Sequence, residues 1–346
     1  MFAIGRHLGI NAETVASTPT YIRYKHLSCL SRNKCFKAVI LRYSVTTLKQ
    51  YVNNAKKFFK FSSLNQFRSL PIDQCCLELF LIDCKDKGVH KTSYRCFVSA
   101  VKFVQTIYGY DESFSKTFEN VLKYLEKFSV VKRLNRVGFQ KEKLVSLWHS
   151  VSKAGGLNSL SMLELRTFVI INFCYYTMCR FNCISKVKID NLYFQKEYVK
   201  ILISSSKTDQ HAEGQYVYLP KMSKNCLVKL LCNYIHIYEF DSMENPFLFP
   251  PLKWEKDTKL WKPVSNKSVS YTVCLKAFKS LLSKFNMCTL NLSLHSFRVG
   301  ATSDAFEAGM PEHLIDKRGR WKNSDTKFLY VKNYDESLVK SLQKIV

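Results

Sequence analysis

From Ser44 onward the chain alternates apolar and polar positions with a helical period. Leu48, Tyr51, Val52, Ala55, Phe58 and Phe59 recur at spacings of three and four, which predicts an amphipathic helix. Pro71, a good first helical position, opens a second predicted helix carrying Ile72, Cys76, Leu79, Phe80 and Leu81 and stopping near Gly88. A third runs from about Ser93 to Gly109 with Phe97, Val98, Val101, Val104 and Ile107 inward, and a fourth aligns Phe114, Phe118, Val121, Leu122 and Leu125. These four helices predict a small all-α domain over residues 41–130. Residues 1–40 have weak periodicity and receive no assignment.

Residues 131–138, with Lys132, Arg133 and Arg136, read as a basic linker. Helical patterns return at about 139–153 and 160–180. Tyr193 to Ser204 and Gln215 to Leu219 are rich in β-branched and aromatic residues, and the polar stretch Ser205 to Gly214 between them reads as a turn. This predicts a small antiparallel sheet. A helix follows at about 222–238, then a loop holding Pro246, Pro250, Pro251 and Pro263. Further helices are predicted near 267–285, 294–308, 311–318 and 325–344. The expected fold class is therefore mainly α, with a second, mostly helical domain over residues 139–346 that holds one small sheet.

Composition excludes several classes. The 346 residues are 47% hydrophobic and 14% aromatic, ample for a core, so wholesale disorder is excluded. Lysine and arginine number 53 against 27 acidic residues, a formal charge of +26. The excess is spread along the chain: 20 basic against 9 acidic residues in 1–130, and 33 against 18 in the remainder. Such a body repels itself unless it binds a polyanion, and nucleic acid is the obvious partner, with an anionic membrane surface as the alternative. Membrane insertion is not expected. The most apolar run, Thr167 to Cys179, contains Asn172 and falls short of the about 20 residues a span needs. The first ten residues hold no continuous apolar stretch of the kind a signal peptide requires. None of the 13 cysteines is spaced as C-x-x-C, so they read as reduced thiols and no metal is expected.

The candidate chemistry lies in the second domain. On a helix, His295 and Arg298 share a face and can grip one anion together, although a capped core histidine beside a surface arginine looks the same in sequence. Arg180 sits between apolar stretches and needs a partner, either a buried ion pair or a phosphate that its planar fork matches. Lys207 lies in the predicted turn. Tyr330 follows Trp321 and the helix-start residues Ser324, Asp325 and Thr326. Taken singly, the lysine reads as solvated and the tyrosine as core packing.

Taken in order, Arg180, Lys207, His295-x-x-Arg298, Trp321 and Tyr330 resemble the tyrosine recombinase (phage integrase) family. The intervals fit: 23 residues from Arg298 to Trp321 and 9 from Trp321 to Tyr330. The passage from Ala308-Gly309 to Gly319-Arg320-Trp321 resembles the family's helix, glycine, helix, then Gly-His or Gly-Trp. Lys207-Thr208-Asp209-Gln210 and His295-Ser296-Phe297-Arg298 are similar to runs in recombinases of eukaryotic DIRS- and Ngaro-like retrotransposons, with Crypton-like elements as neighbours. The resemblance covers about residues 44–340 and makes the first helical domain similar to the family's core-binding domain. One departure is Cys183, where the family often has an acidic residue; another is tryptophan rather than histidine at 321.

The resemblance implies cleavage and rejoining of DNA without metal, ATP or other cofactor. Tyr330 would attack a backbone phosphate, Arg180 and Arg298 would take up the growing charge, His295 would handle the phenol proton, Lys207 would protonate the leaving 5′-oxygen, and Trp321 would donate to a phosphate oxygen. Lys132, Arg133 and Arg136 would help two domains close on double-stranded DNA. It further implies a homotetramer on two duplexes and a nuclear location. Two other readings remain: a transposon-derived DNA-binding protein with impaired catalysis, and a type IB topoisomerase-like enzyme.

Overall fold

Polar side chains at element boundaries set where helices begin. The computed structural model describes residues 1–110, 113–129, 137–204, 206, 209, 213–238, 246–257, 260–264, 266–321, 323, 327 and 328. The chain divides into two compact units, Met1–Arg133 and Leu134–Val346.

The first unit is helical: α1 (Phe2–Leu8), α2 (Ala12–Ala16), α3 (Pro19–Tyr24), α4 (Cys29–Leu41), α5 (Val45–Leu64), α6 (Gln74–Asp86), α7 (Thr92–Tyr108) and α8 (Lys116–Phe128). Ser44 and Ser115 accept the backbone N–H of Thr47 and Phe118, which fixes the starts of α5 and α8. Pro71 does not open α6. The Asp73 carboxylate accepts the N–H groups of Cys75 and Cys76 at 2.7 and 3.3 Å, so the helix starts at Gln74 and the proline stays outside it. Phe58, Phe80 and Phe97 meet edge to face at 5.6 and 5.1 Å in the core of α5, α6 and α7.

The first forty residues, to which periodicity assigns nothing, form α1–α4. Leu8, Ile10 and Val15 are buried in the same core as α5–α8, whereas α4 buries no residue at all. Segments of two turns or fewer are too short to display a period, and a helix with no buried face has none to display.

The second unit is built around α10 (Met162–Thr177), whose capping box pairs Ser161 and Glu164. Phe168, Val169, Ile170, Ile171, Phe173 and Cys174 are all fully buried, so α10 is enclosed on every side, as an all-round apolar helix must be. Around it lie α9 (Lys141–Lys153), α11 (Phe181–Ile184), α12 (Leu227–Tyr238), α13 (Tyr271–Lys284), α14 (Ser296–Glu307) and α15 (Glu312–Gly319).

The expected sheet is present with one more strand. The segment 193–204 breaks at Gln195–Glu197 into β1 (Leu192–Phe194) and β2 (Tyr198–Ile203), and β3 (Gln215–Pro220) completes an antiparallel order β1-β2-β3. Val199, Ile201, Ile203, Val217 and Leu219 alternate inward, and Tyr198, Tyr216 and Tyr218 face out. The proline-rich segment holds a hairpin that sequence reading treats as loop: β4 (Leu252–Glu255) and β5 (Leu260–Pro263), with Trp254 opposite Trp261. The linker residues Lys132, Arg133 and Arg136, most of the 205–214 turn and most of the expected 325–344 helix lie outside the described residues. Among the described residues no helix is long and apolar enough to cross a membrane.

Candidate active site

Arg298 stands on the first turn of α14 and is fully buried. A guanidinium out of water must have its N–H groups accepted. Here Nη1 donates to the carbonyl of Met178 at 2.5 Å and Nη2 to the carbonyl of Gly319 at 2.8 Å. Both acceptors lie at helix C-termini. Met178 caps α10, and Gly319 is the last residue of α15. Carbonyls there lack intrahelical partners and carry the negative end of the helix dipole, so two helix ends offset the cost of burying this cation. The Trp321 ring adds its face, with its centroid 4.0 Å from the guanidinium carbon.

The chain pays in backbone strain for this arrangement. Met178 (φ 51°, ψ 19°) and Arg320 (φ 54°, ψ 48°) both adopt the left-handed conformation at the ends of α10 and α15. A non-glycine residue there costs on the order of 1–2 kcal/mol, and such strain collects at functional sites.

Two glycines allow the close approaches. A Cβ on Gly319 would lie 1.6 Å from Cζ3 of Trp321, so only glycine lets the indole lie back on the turn towards Arg298. A Cβ on Gly300 would fall 2.0 Å from the Phe139 carbonyl oxygen, where residues 138–140 run against α14. Phe139 N–H donates to the Ser296 carbonyl at 2.8 Å in the same contact.

His295 is the residue before α14, with helical dihedrals (φ −81°, ψ −18°), so it keeps the one-turn relation to Arg298. It is half-buried, with a buried Nε2. Further along α14, Asp304 accepts from the Tyr175 hydroxyl at 2.5 Å and from the Lys141 N–H at 2.7 Å, tying α14 to α10 and to the start of α9. Burial pushes its carboxyl above the ordinary range, and these hydrogen bonds pull against that rise.

Arg180 precedes α11 and lies two residues past Met178, on the same turn that Arg298 grips. It is half-buried, and among the described residues neither a carboxylate nor a carbonyl pairs with its side chain. Of the two partners its setting calls for, the ion pair is not found among the described residues. Cys183, one turn on, is 5% exposed. Burial raises its thiol pKa against the pull of Arg320, Arg180 and Arg298, so it stays neutral and supplies no negative charge to the site.

Of the residues singled out in sequence, Arg180, His295, Arg298 and Trp321 thus surround the α10–α11 turn and the ends of α14 and α15. Lys207 and Tyr330 lie outside the described residues. Lys327, three positions before Tyr330, is held to α15 by Asp316 at 2.8 Å and Glu312 at 3.0 Å. Sequence reading missed Arg320 and the packing roles of Gly300 and Gly319. The only signal was an arginine between glycine and tryptophan. Among the described residues no group of three histidine, cysteine or acidic side chains could hold a metal ion.

The fold is shared with solved recombinases. The chain is similar to the XerH site-specific recombinase bound to a palindromic difH substrate in a post-cleavage complex, with a TM-score of 0.63 and 14% identity over 98% of this chain and 93% of that one. It also matches a lambda integrase dimer bound to a COC′ core site (TM-score 0.55, 12% identity, 87% and 76% covered). The Tn1549 transposon integrase in complex with transposon right end DNA is similar as well (0.54, 11%, 85% and 93%). No curated protein sequence matches it significantly. The family model for the phage integrase family matches residues 139–337, more than half of the chain and all six positions from Arg180 to Tyr330. The chain belongs to the phage integrase family, the tyrosine recombinases.

Proposed function

We propose that this protein is an active, transposon-derived DNA recombinase that cuts and rejoins double-stranded DNA through a 3′-phosphotyrosyl link at Tyr330. The observation that carries this reading is the pairing of Arg298 with Arg180. One guanidinium is locked in place by two helix ends and an indole, and the other pairs with no carboxylate among the described residues. Guanidinium cations held in place suit a phosphate that gains charge in its transition state.

The Tyr330 oxygen attacks phosphorus, the bond to the 5′-oxygen breaks, and the 3′-phosphate remains on the enzyme. A phenol with an ordinary pKa of about 10 needs help to ionise, and His295 takes its proton. Lys207 protonates the leaving 5′-oxygen, and Trp321 packs Arg298 and donates its N–H to a phosphate oxygen. A free 5′-hydroxyl reverses the step on the same or another strand. The excess of lysine and arginine, including Lys132, Arg133 and Arg136, holds the duplex, so affinity falls steeply with salt. The family likeness extends the proposal to a homotetramer on two duplexes and to a nuclear location. The XerH, lambda and Tn1549 structures, each of a recombinase or integrase bound to its substrate, core site or transposon-end DNA, support duplex binding.

A pool of nicked suicide duplexes tests it. The wild type should form a covalent adduct and Tyr330→Phe should not. The neutral thiol at Cys183 favours a second reading, a DNA-binding protein with impaired chemistry. In that case the wild type binds the pool and traps none of it.

A further inference from the structure

Arg298 joins two chain segments, and each carries another arginine beside the joint. Arg180 follows the Met178 carbonyl by two residues, and Arg320 follows the Gly319 carbonyl directly. The Arg298 guanidinium therefore ends beside the two backbone segments from which the Arg180 and Arg320 side chains leave. The Arg320 side chain is half-buried. Among the described residues its Nη1 is shut off from solvent without an acceptor, and the side chain forms no ion pair. An enclosed guanidinium N–H with nothing to bond to is unfavourable, and an oxygen from outside the chain removes that cost. The backbone at Arg320 is left-handed, a conformation that glycine adopts freely and arginine does not. The chain thus tolerates strain to present a cation here, immediately before the indole that stacks on Arg298. The acidic residue that would temper such a cluster is absent. Cys183 lies within the field of all three guanidiniums and remains a neutral thiol.

We propose that Arg320 is a third phosphate-binding guanidinium of this site, taking a non-bridging oxygen of the DNA backbone where Arg180 and Arg298 grip it. The proposal rests on the DNA-cleaving reading above. It gives Arg320 a role in binding DNA independent of the chemistry at Tyr330.

Arg320→Gly and Arg320→Asn test it. Both residues accept the left-handed backbone, so the charge is removed without new strain, and two variants guard against the failure of one to fold. Each is made in the full chain carrying Tyr330→Phe, so that no cleavage intervenes. Affinity for a random-sequence duplex is measured across a series of salt concentrations. Loss of one phosphate contact should lower the slope of log affinity against log salt by about 0.9. Inorganic phosphate should raise the thermal midpoint of the Arg320 parent above that in chloride of equal ionic strength, and the variants should lose most of that rise. A parent slope that is steep and unchanged in both variants, with an unchanged response to phosphate, overturns the role of Arg320 and leaves the DNA reading standing. A parent whose duplex affinity ignores salt overturns both.

Discussion

Gly319→Ala puts the geometry of the site to a severe test, because two effects of opposite sign compete. Alanine is the better helix former by roughly 0.5–1 kcal/mol, and Gly319 is the last residue of α15, so propensity alone favours the change. The new methyl, however, would stand 1.6 Å from Cζ3 and 2.1 Å from Cε3 of Trp321. Carbon atoms prefer about 3.5–4.0 Å, so the ring must retreat by roughly 2 Å. An indole is rigid and cannot fold aside as a lysine tip would. Overpacking of this kind costs about 1–3 kcal/mol. Moving the ring off the Arg298 guanidinium forfeits a further ~1 kcal/mol of cation–π attraction. The clash outweighs the propensity gain, and the net loss is about 1–3 kcal/mol. Urea unfolding of the wild type and the variant reads it directly. The same variant should trap nicked DNA at least tenfold more slowly, since ~1.4 kcal/mol of lost transition-state stabilisation is a factor of ten. An alanine variant as stable as the wild type, with undiminished trapping, would refute the packing of Trp321 on Arg298.

Gly300→Ala should destabilise by about 2 kcal/mol or more, because its methyl meets the Phe139 carbonyl at 2.0 Å and backbone cannot step aside; a urea midpoint equal to wild type contradicts the contact. Asp304 holds its proton more tightly folded than unfolded, so it detracts from stability as pH rises from its ordinary 3.8 through the raised value; the stability of the wild type relative to Asp304→Asn should fall across that window, and a constant difference contradicts it. Lys327→Met removes both ion pairs that anchor the chain three residues before Tyr330, and adduct formation should fall about tenfold, ~1.4 kcal/mol, with duplex affinity nearly kept.

Helices α9, α10, α12, α13, α14 and α15 are legible from sequence because each buries apolar residues or, for α10, its whole surface, whereas the four-residue α11 is too short to show a period. The pattern fails where burial leaves no trace. α4 has no buried residue, α1–α3 are one or two turns long, and the Trp254–Trp261 hairpin is hidden among prolines. The site shows the same division. Arg180, His295, Arg298 and Trp321 can be picked out by order and spacing, yet nothing in that order says that Arg298 would be fully buried between two helix ends. That follows from the left-handed turns at Met178 and Arg320, which only the folded backbone reveals. Arg320 escapes notice for the same reason: beside a tryptophan it reads as one more lysine-or-arginine in a chain with 53 of them.

The central claim is that a tyrosine of this chain, Tyr330, becomes esterified to a DNA 3′-phosphate. The most direct measurement is to incubate the full chain with nicked suicide duplexes, digest the covalent adduct with protease, and map the nucleotide-bearing peptide by mass spectrometry. The expected result is one phosphotyrosyl linkage at Tyr330, absent from Tyr330→Phe, with Arg298→Ala still binding duplex but forming no adduct. An adduct that persists in Tyr330→Phe, for instance at Tyr334 four residues on, or a wild type that binds DNA and never forms one, would contradict it.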